Sequence, residues 1–216
     1  MSAFALAFAF FVVSHSLPTR PTVRRRLVQV LGERGFQVAY SLLSLAALGW
    51  LLAAAIEAPW VGLWGPAPWQ YWLAVVLMPI AFALGAVAVA VPNPLSISLR
   101  RTPPDWNRSG VLRIVRHPLL LALALWAGLH VPANGDVVSL MLFGGLAVFA
   151  LAGQRLVDRR RVRDLGAAAH AALLEKRGAY DDGRTQVIAA GCGLLAYALA
   201  LVLHPLVFGV DPLAWW

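Results

Sequence analysis

The sequence predicts an all-α fold: a polytopic membrane bundle of about six transmembrane helices with a cytoplasmic amphipathic helix. Three observations predict it. Of 216 residues, 60% are hydrophobic and only 13% charged, where a soluble domain averages about 25% charged. Apolar runs bounded by polar segments recur at about 2–17, 36–56, 69–91, 118–132, 137–154 and 186–209, each near the length a bilayer demands. All eighteen Lys and Arg fall in the segments that follow runs one, three and five. A mean hydropathy of +0.72 agrees.

Run 2–17 lacks a positive leading region and its charges come after it, so it reads as an outward-N signal anchor rather than a cleaved leader. Arg20, Arg24, Arg25, Arg26 and Arg34 follow it. Between spans two and three, Trp60, Trp64, Trp69 and Trp72 form an interfacial belt, with Trp215 and Trp216 at the chain's end. The segment "PNPLSISLRRTPPDWNRSG" (92–110) opens with prolines that stop span three and, with the residues after it, brings Arg100, Arg101, Arg108, Arg113 and Arg116. Pro118 suits the first turn of span four. Spans four and five form a tight hairpin closed by Pro132 and Asn134-Gly135-Asp136, where Asn-Gly accepts positive φ. Residues 155–185 read as one amphipathic basic helix, with apolar positions at Leu156, Leu165, Ala169, Leu173 and Leu174. It carries Arg155, Arg159, Arg160, Arg161, Arg163, Lys176, Arg177 and Arg184.

The three basic segments share one side, and the positive-inside rule makes it the cytoplasm. The expected location is a bacterial inner membrane, multi-pass, with both termini periplasmic. The net charge of +8 then serves topology and anionic-lipid contact, not nucleic acid. No repeat and no second domain is visible, so residues 1–216 read as one transmembrane domain.

The single Cys192 excludes an internal disulfide and a multi-cysteine metal site, and no C-x-x-C-H run exists for covalent haem. No span carries Asp, Glu, Lys or Arg in its middle, which argues against an ion pump or a charged-solute transporter. What remains inside is His15, His130 and His204, with hydroxyls such as Ser14, Ser41, Ser44 and Tyr40. An ionisable group in hydrocarbon is a functional-site hypothesis by default. Neutral imidazole suits axial ligation of haem iron, from two different helices on opposite macrocycle faces. His15 on span one and His130 on span four meet that condition, and His204 near the end of span six is a rival. The alternative is three histidines bonded to backbone or hydroxyl groups in a helix core.

"RHPLLLALALWAGLH" (116–130) carries a histidine at each end. On a helix those rings are about 20 Å apart and face different ways, so they share no metal. His117 is either a helix start signal with headgroup contact or a polar site able to take an anion. His170 is expected to be solvated, and Cys192, between Gly191 and Gly193, to permit close helix approach.

Three stretches carry a resemblance: "VVSHSLPTRPTVRRRLVQVLGERGFQVAYSLLSL" (12–45), "GVLRIVRHPLLLALALWAGLHVPANGD" (110–136) and "HPLVFG" (204–209). Together they resemble the NnrU family, over nearly the whole chain. The resemblance implies a tie to denitrification and nitric-oxide handling, and kinship with the 15-cis-zeta-carotene isomerases. Those hold haem b between two histidines that match His15 and His130. Where they carry a cysteine as alternative ligand, this chain has Ala127, so thiolate exchange is not available to it. Trp126, one turn before His130, would pack beside the porphyrin, and Arg116 with His117, or Arg20, would hold the propionates. A wider likeness to isoprenylcysteine and phospholipid methyltransferases rests on Arg116-His117-Pro118. Glu175 and "RGAY" (177–180) match their S-adenosylmethionine site poorly.

The expected function is thus a haem b protein of the inner membrane acting in denitrification or nitric-oxide response. Its expected partners are the lipid bilayer and a small gas ligand or an apolar polyene. The alternatives are a polyene isomerase, an S-adenosylmethionine-dependent methyltransferase, and a cofactor-free structural subunit.

Overall fold

A backbone in hydrocarbon must satisfy its N–H and C=O groups within its own segment, so apolar runs become helices. The computed structural model describes residues 1–98, 110–176 and 184–214, and the described chain is helical with no strand. Its elements are α1 (Ser2–Ser16), α2 (Pro21–Ile56), α3 (Pro68–Ala90), α4 (Gly110–Ile114) and α5 (Pro118–Ala133). After them come α6 (Val137–Ser139), a π-helical turn Leu140–Gly144, α7 (Gly145–Leu165), α8 (Ala167–Lys176) and α9 (Arg184–Phe208). α6, the π turn and α7 make one continuous rod, Val137–Leu165.

A helix stands at each of the six predicted runs. Among the described residues α2, α3, the 137–165 rod and α9 are long and apolar enough to cross a membrane, whereas α1 and α5 are shorter apolar helices. Their 15 and 16 residues rise roughly 23 Å, against a hydrocarbon core of about 30 Å. Proline opens α2, α3 and α5, where its missing N–H costs nothing.

The chain divides into two compact units: Met1–Leu63 with Asp136–Leu142, and Trp64–Gly135 with Phe143–Trp216. In the first, α1 packs on α2. Phe4, Ala7, Phe11 and Ser14 recur at helical spacing and make the buried face of α1; α2 buries Phe36, Ala47, Leu51 and Ala54. α2 starts fifteen residues before the predicted span, because its first turns are polar and invisible to hydropathy. It breaks at Gly32, whose φ of 70° needs a residue without Cβ. Arg24 reaches across that break to pair with Glu33 at 2.5 Å and lies 5.4 Å over the Phe36 ring.

In the second unit α3 is central, with α5 and α9 packed on it and α7 packed on α5. Met78, Ala81 and Leu129 form one buried cluster with Trp126 and Tyr197 against it; Val87, Val91 and Ala189 form another, with Val111. Small residues at these contacts let helix backbones approach, as membrane packing requires. Large apolar side chains point outward instead: Leu195 is 73% exposed and Leu206 80%. Trp60, Trp69 and Trp72 are exposed, whereas Trp64 is half-buried and its indole N–H donates to the Pro132 carbonyl oxygen at 2.9 Å; Trp215 and Trp216 lie outside the described residues.

Four expectations need correction. Residues 155–185 are not one helix: α7 carries the rod to Leu165, Gly166 breaks it at φ 85°, and α8 begins at Ala167. His170 on α8 is not solvated but 7% exposed, with its Nε2 buried and unpartnered. The Asn134-Gly135-Asp136 link uses no positive φ; Asn134 and Asp136 are extended. Its polar groups are met by reach rather than by a tight turn, since Asn134 Nδ2 donates to His130 O and Asp136 caps the Ser139 N–H. Finally, the close helix approach belongs to Gly193, not Cys192: a Cβ there would stand 2.6 Å from the Phe82 carbonyl oxygen. Cys192 is exposed.

Candidate functional site

The histidines on the apolar helices α1 and α5 share one bonding pattern. His15 Nδ1 lies 3.0 Å from the Phe11 carbonyl oxygen and His130 Nδ1 2.6 Å from that of Trp126, each four residues back on its own helix. A carbonyl oxygen has no proton to give, so Nδ1 carries the hydrogen and Nε2 the lone pair. That is how a second bond orients a metal-ligating imidazole. His15 stands in the first unit beside Phe11, at a ring distance of 4.1 Å, and Tyr40, at 6.1 Å. The Tyr40 hydroxyl donates to the His15 backbone oxygen at 3.1 Å, tying α2 to the end of α1. Tyr40→Phe is expected to cost about 1 kcal/mol through that bond, read as a lower unfolding midpoint in detergent; an unchanged midpoint would show that α1 is held without it.

In the second unit His130 stacks on Phe143, with ring centroids 4.6 Å apart and planes 15° from parallel, and Trp126 tilts against it at 5.0 Å. The aromatic slot suits a flat apolar group. His204 also donates from Nδ1, to Val210 O at 2.7 Å near the end of α9, and is half-buried like His15 and His130. Among the described residues no three His, Cys, Asp or Glu side chains gather as a metal site. The arrangement fits ligation by single imidazoles.

The other polar site lies where α5 and α7 meet the segment after α3. His117 is 2% exposed. Its Nδ1 sits 2.8 Å from Ser96 Oγ and its Nε2 3.0 Å from Asp158 Oδ1. Arg116 pairs with the same carboxylate at 3.3 Å, and Arg161 donates to Ser96 O at 2.7 Å. Asn93 closes the ring, donating to Arg116 O and accepting from Leu95 N. An ionised carboxylate only accepts, so His117 Nε2 carries a proton, and in neutral imidazole Ser96 donates to Nδ1. Serine, histidine and aspartate stand here in the order a hydrolase uses. Yet Ser96 is 0% exposed, so its oxygen meets no substrate. The array is a clamp that fixes the start of α5 to α7.

Of the residues the sequence singled out, Trp126 and His130 stand together with His204 of α9 in electrostatic reach of His130, and Arg116 and His117 share Asp158. Ser96, Asn93, Asp158 and Arg161 were missed as partners. The one available signal was Asp158, an acid inside the basic run "RLVDRRRVR". Arg100, Arg101, Arg108 and "RGAY" (177–180) lie outside the described residues.

The family model described as NnrU protein matches residues 3–212. No curated protein and no solved structure matches the chain.

Proposed function

Since the chain belongs to the NnrU family, we propose that it is a multi-pass bacterial inner-membrane protein binding haem b through His15 and His130, with a role in denitrification or nitric-oxide response. The observation that carries this reading is the Nδ1-to-carbonyl bond shared by the two imidazoles, the kind of second bond that orients a metal-ligating ring. The flat aromatic slot of Trp126 and Phe143 at His130 supports it. His204, half-buried and close enough to His130 to interact with it electrostatically, stays the rival second ligand. Haem held by these residues would supply a one-electron couple and an iron able to bind a gas ligand. Arg116 and His117 are already engaged by Asp158, so the propionates fall to Arg20, exposed at the N-cap of α2.

One observation favours the second reading, isomerisation of a long polyene. An apolar groove of about 710 Å³ between α3, α5 and α9 reaches Trp126, and a hydrocarbon entering sideways from lipid would fit it.

The test is the absorption spectrum of protein purified from haem-replete cells. A Soret band is expected, lost in His15→Ala and in His130→Ala and kept in His204→Ala. A folded protein without the band ends the haem reading, and loss in His204→Ala alone moves the second ligand to α9.

A further inference from the structure

The groove has two unlike ends. Along α3 it runs from Ala81 to Ala90, along α5 from Trp126 to Leu119, and along α9 from Ala196 to Thr185. That is roughly 10–16 Å of helix rise, the depth of one leaflet's hydrocarbon. It exists because α5 and α9 both pack on α3 and small residues line the floor: Gly85, Ala122, Ala189 and Gly193. Its volume lies within the range of small-molecule sites. The inner end is closed by Trp126. The outer end is basic: Arg184 precedes Thr185 and is exposed, and exposed Arg113 lies half a turn beyond Val111, which packs on Ala189 and donates to Gln186 at 2.5 Å. Among the described residues, Asp158 is taken by Arg116 and His117, and Asp164 pairs with Arg160 and Arg163. Neither carboxylate offsets the two arginines.

We infer that the groove seats one acyl chain of an anionic phospholipid, with its headgroup at Arg184 and Arg113. Among the described residues a hydrocarbon alone would leave the basic end without a partner, while a zwitterionic lipid gains little there. Guanidinium binds the phosphate by charge and paired N–H donors, and the apolar slot holds the chain by burial alone. This holds whether or not haem is bound.

The test is photocrosslinking of the full-length protein in nanodiscs. The probes are phosphatidylglycerol and phosphatidylcholine carrying the same photoactivatable acyl chain, with adducts mapped by mass spectrometry. Phosphatidylglycerol adducts are expected to concentrate on the groove residues of α3, α5 and α9. They should fall several-fold in Ala189→Phe and in Ala122→Leu, which fill the groove from opposite sides. Arg184→Gln and Arg113→Gln should each lower phosphatidylglycerol labelling about fivefold, the effect of one basic side chain near an anionic surface, and leave phosphatidylcholine labelling unchanged. Arg184→Gln reads that charge in the presence of Asp181 and Asp182, which precede it in the sequence and lie outside the described residues. Equal labelling by both lipids overturns the proposal, as do adducts spread evenly over outward residues such as Leu195 and Val202. Selective labelling by a headless polyene probe overturns it too, and favours the isomerase reading instead.

Discussion

Asp158→Ala is expected to destabilise the protein by about 2–4 kcal/mol. Removing one partner of a buried ion pair costs more than the pair contributes, because the remaining charge stays desolvated and unpaired. Here the deleted carboxylate serves two partners, His117 at 3.0 Å and Arg116 at 3.3 Å. His117 is almost wholly enclosed, and the Arg116 Nε is already buried without a partner. The side chains of Asp158 and Arg116 are themselves 24% and 36% exposed, so water relieves part of the loss at both ends of the pair and the value falls below that of a fully buried one. Unfolding free energies of Asp158→Ala, His117→Ala and the double variant provide the check. The double variant should be more stable than the summed single effects predict, by about 1 kcal/mol or more, as residues in one network require. Strict additivity would mean that α5 and α7 are held by packing and the polar ring is incidental.

Gly193→Ala is expected to lower stability by about 2 kcal/mol, although alanine gains up to about 1 kcal/mol over glycine in helix propensity. The added Cβ would stand 2.6 Å from the Phe82 carbonyl oxygen and 2.9 Å from Ala83 Cα. These are backbone atoms of α3, which cannot rotate aside as a side chain does. α9 must therefore move off α3, losing contact along the face that carries Ala189 and the bond from the Tyr197 hydroxyl to Val75 O. The control lies two residues away. A Cβ at Gly191 meets nothing within 4 Å, so Gly191→Ala should be neutral or slightly stabilising. If the two variants melt together in the same detergent, the close approach of α9 to α3 is wrong.

The fold was legible where hydrocarbon imposes a rule. A run such as 69–91 has one solution in lipid, and the helix Pro68–Ala90 follows. Polar continuations escaped, since nothing apolar marks them: the first fifteen residues of α2, and the passage of the rod through Arg155 to Leu165. The π turn at Leu140–Gly144 has no sequence mark either. Within the candidate site, the bonds of His15 and His130 are local, four residues back on one helix, and so could be anticipated from the sequence. The partners of His117 are not local. Ser96 is 21 residues away and Asp158 is 41, and a single basic-run acid does not declare which imidazole it meets. His170 was misread for the same reason: a histidine in a charged segment looks solvated until another element covers it.

Sequence alone determined that this is an all-helical chain with apolar spans, that its cations collect in three segments, and that no Asp, Glu, Lys or Arg stands in the middle of a span while histidines do. Those properties depend on composition and on contacts within a helical turn. Tertiary structure decided that Asp158 binds His117, that Gly193 rather than Cys192 is the point of closest helix approach, and that a groove opens between α5 and α9. The physical reason is distance along the chain: which side chains meet across helices follows from crossing and register, and local pattern carries neither.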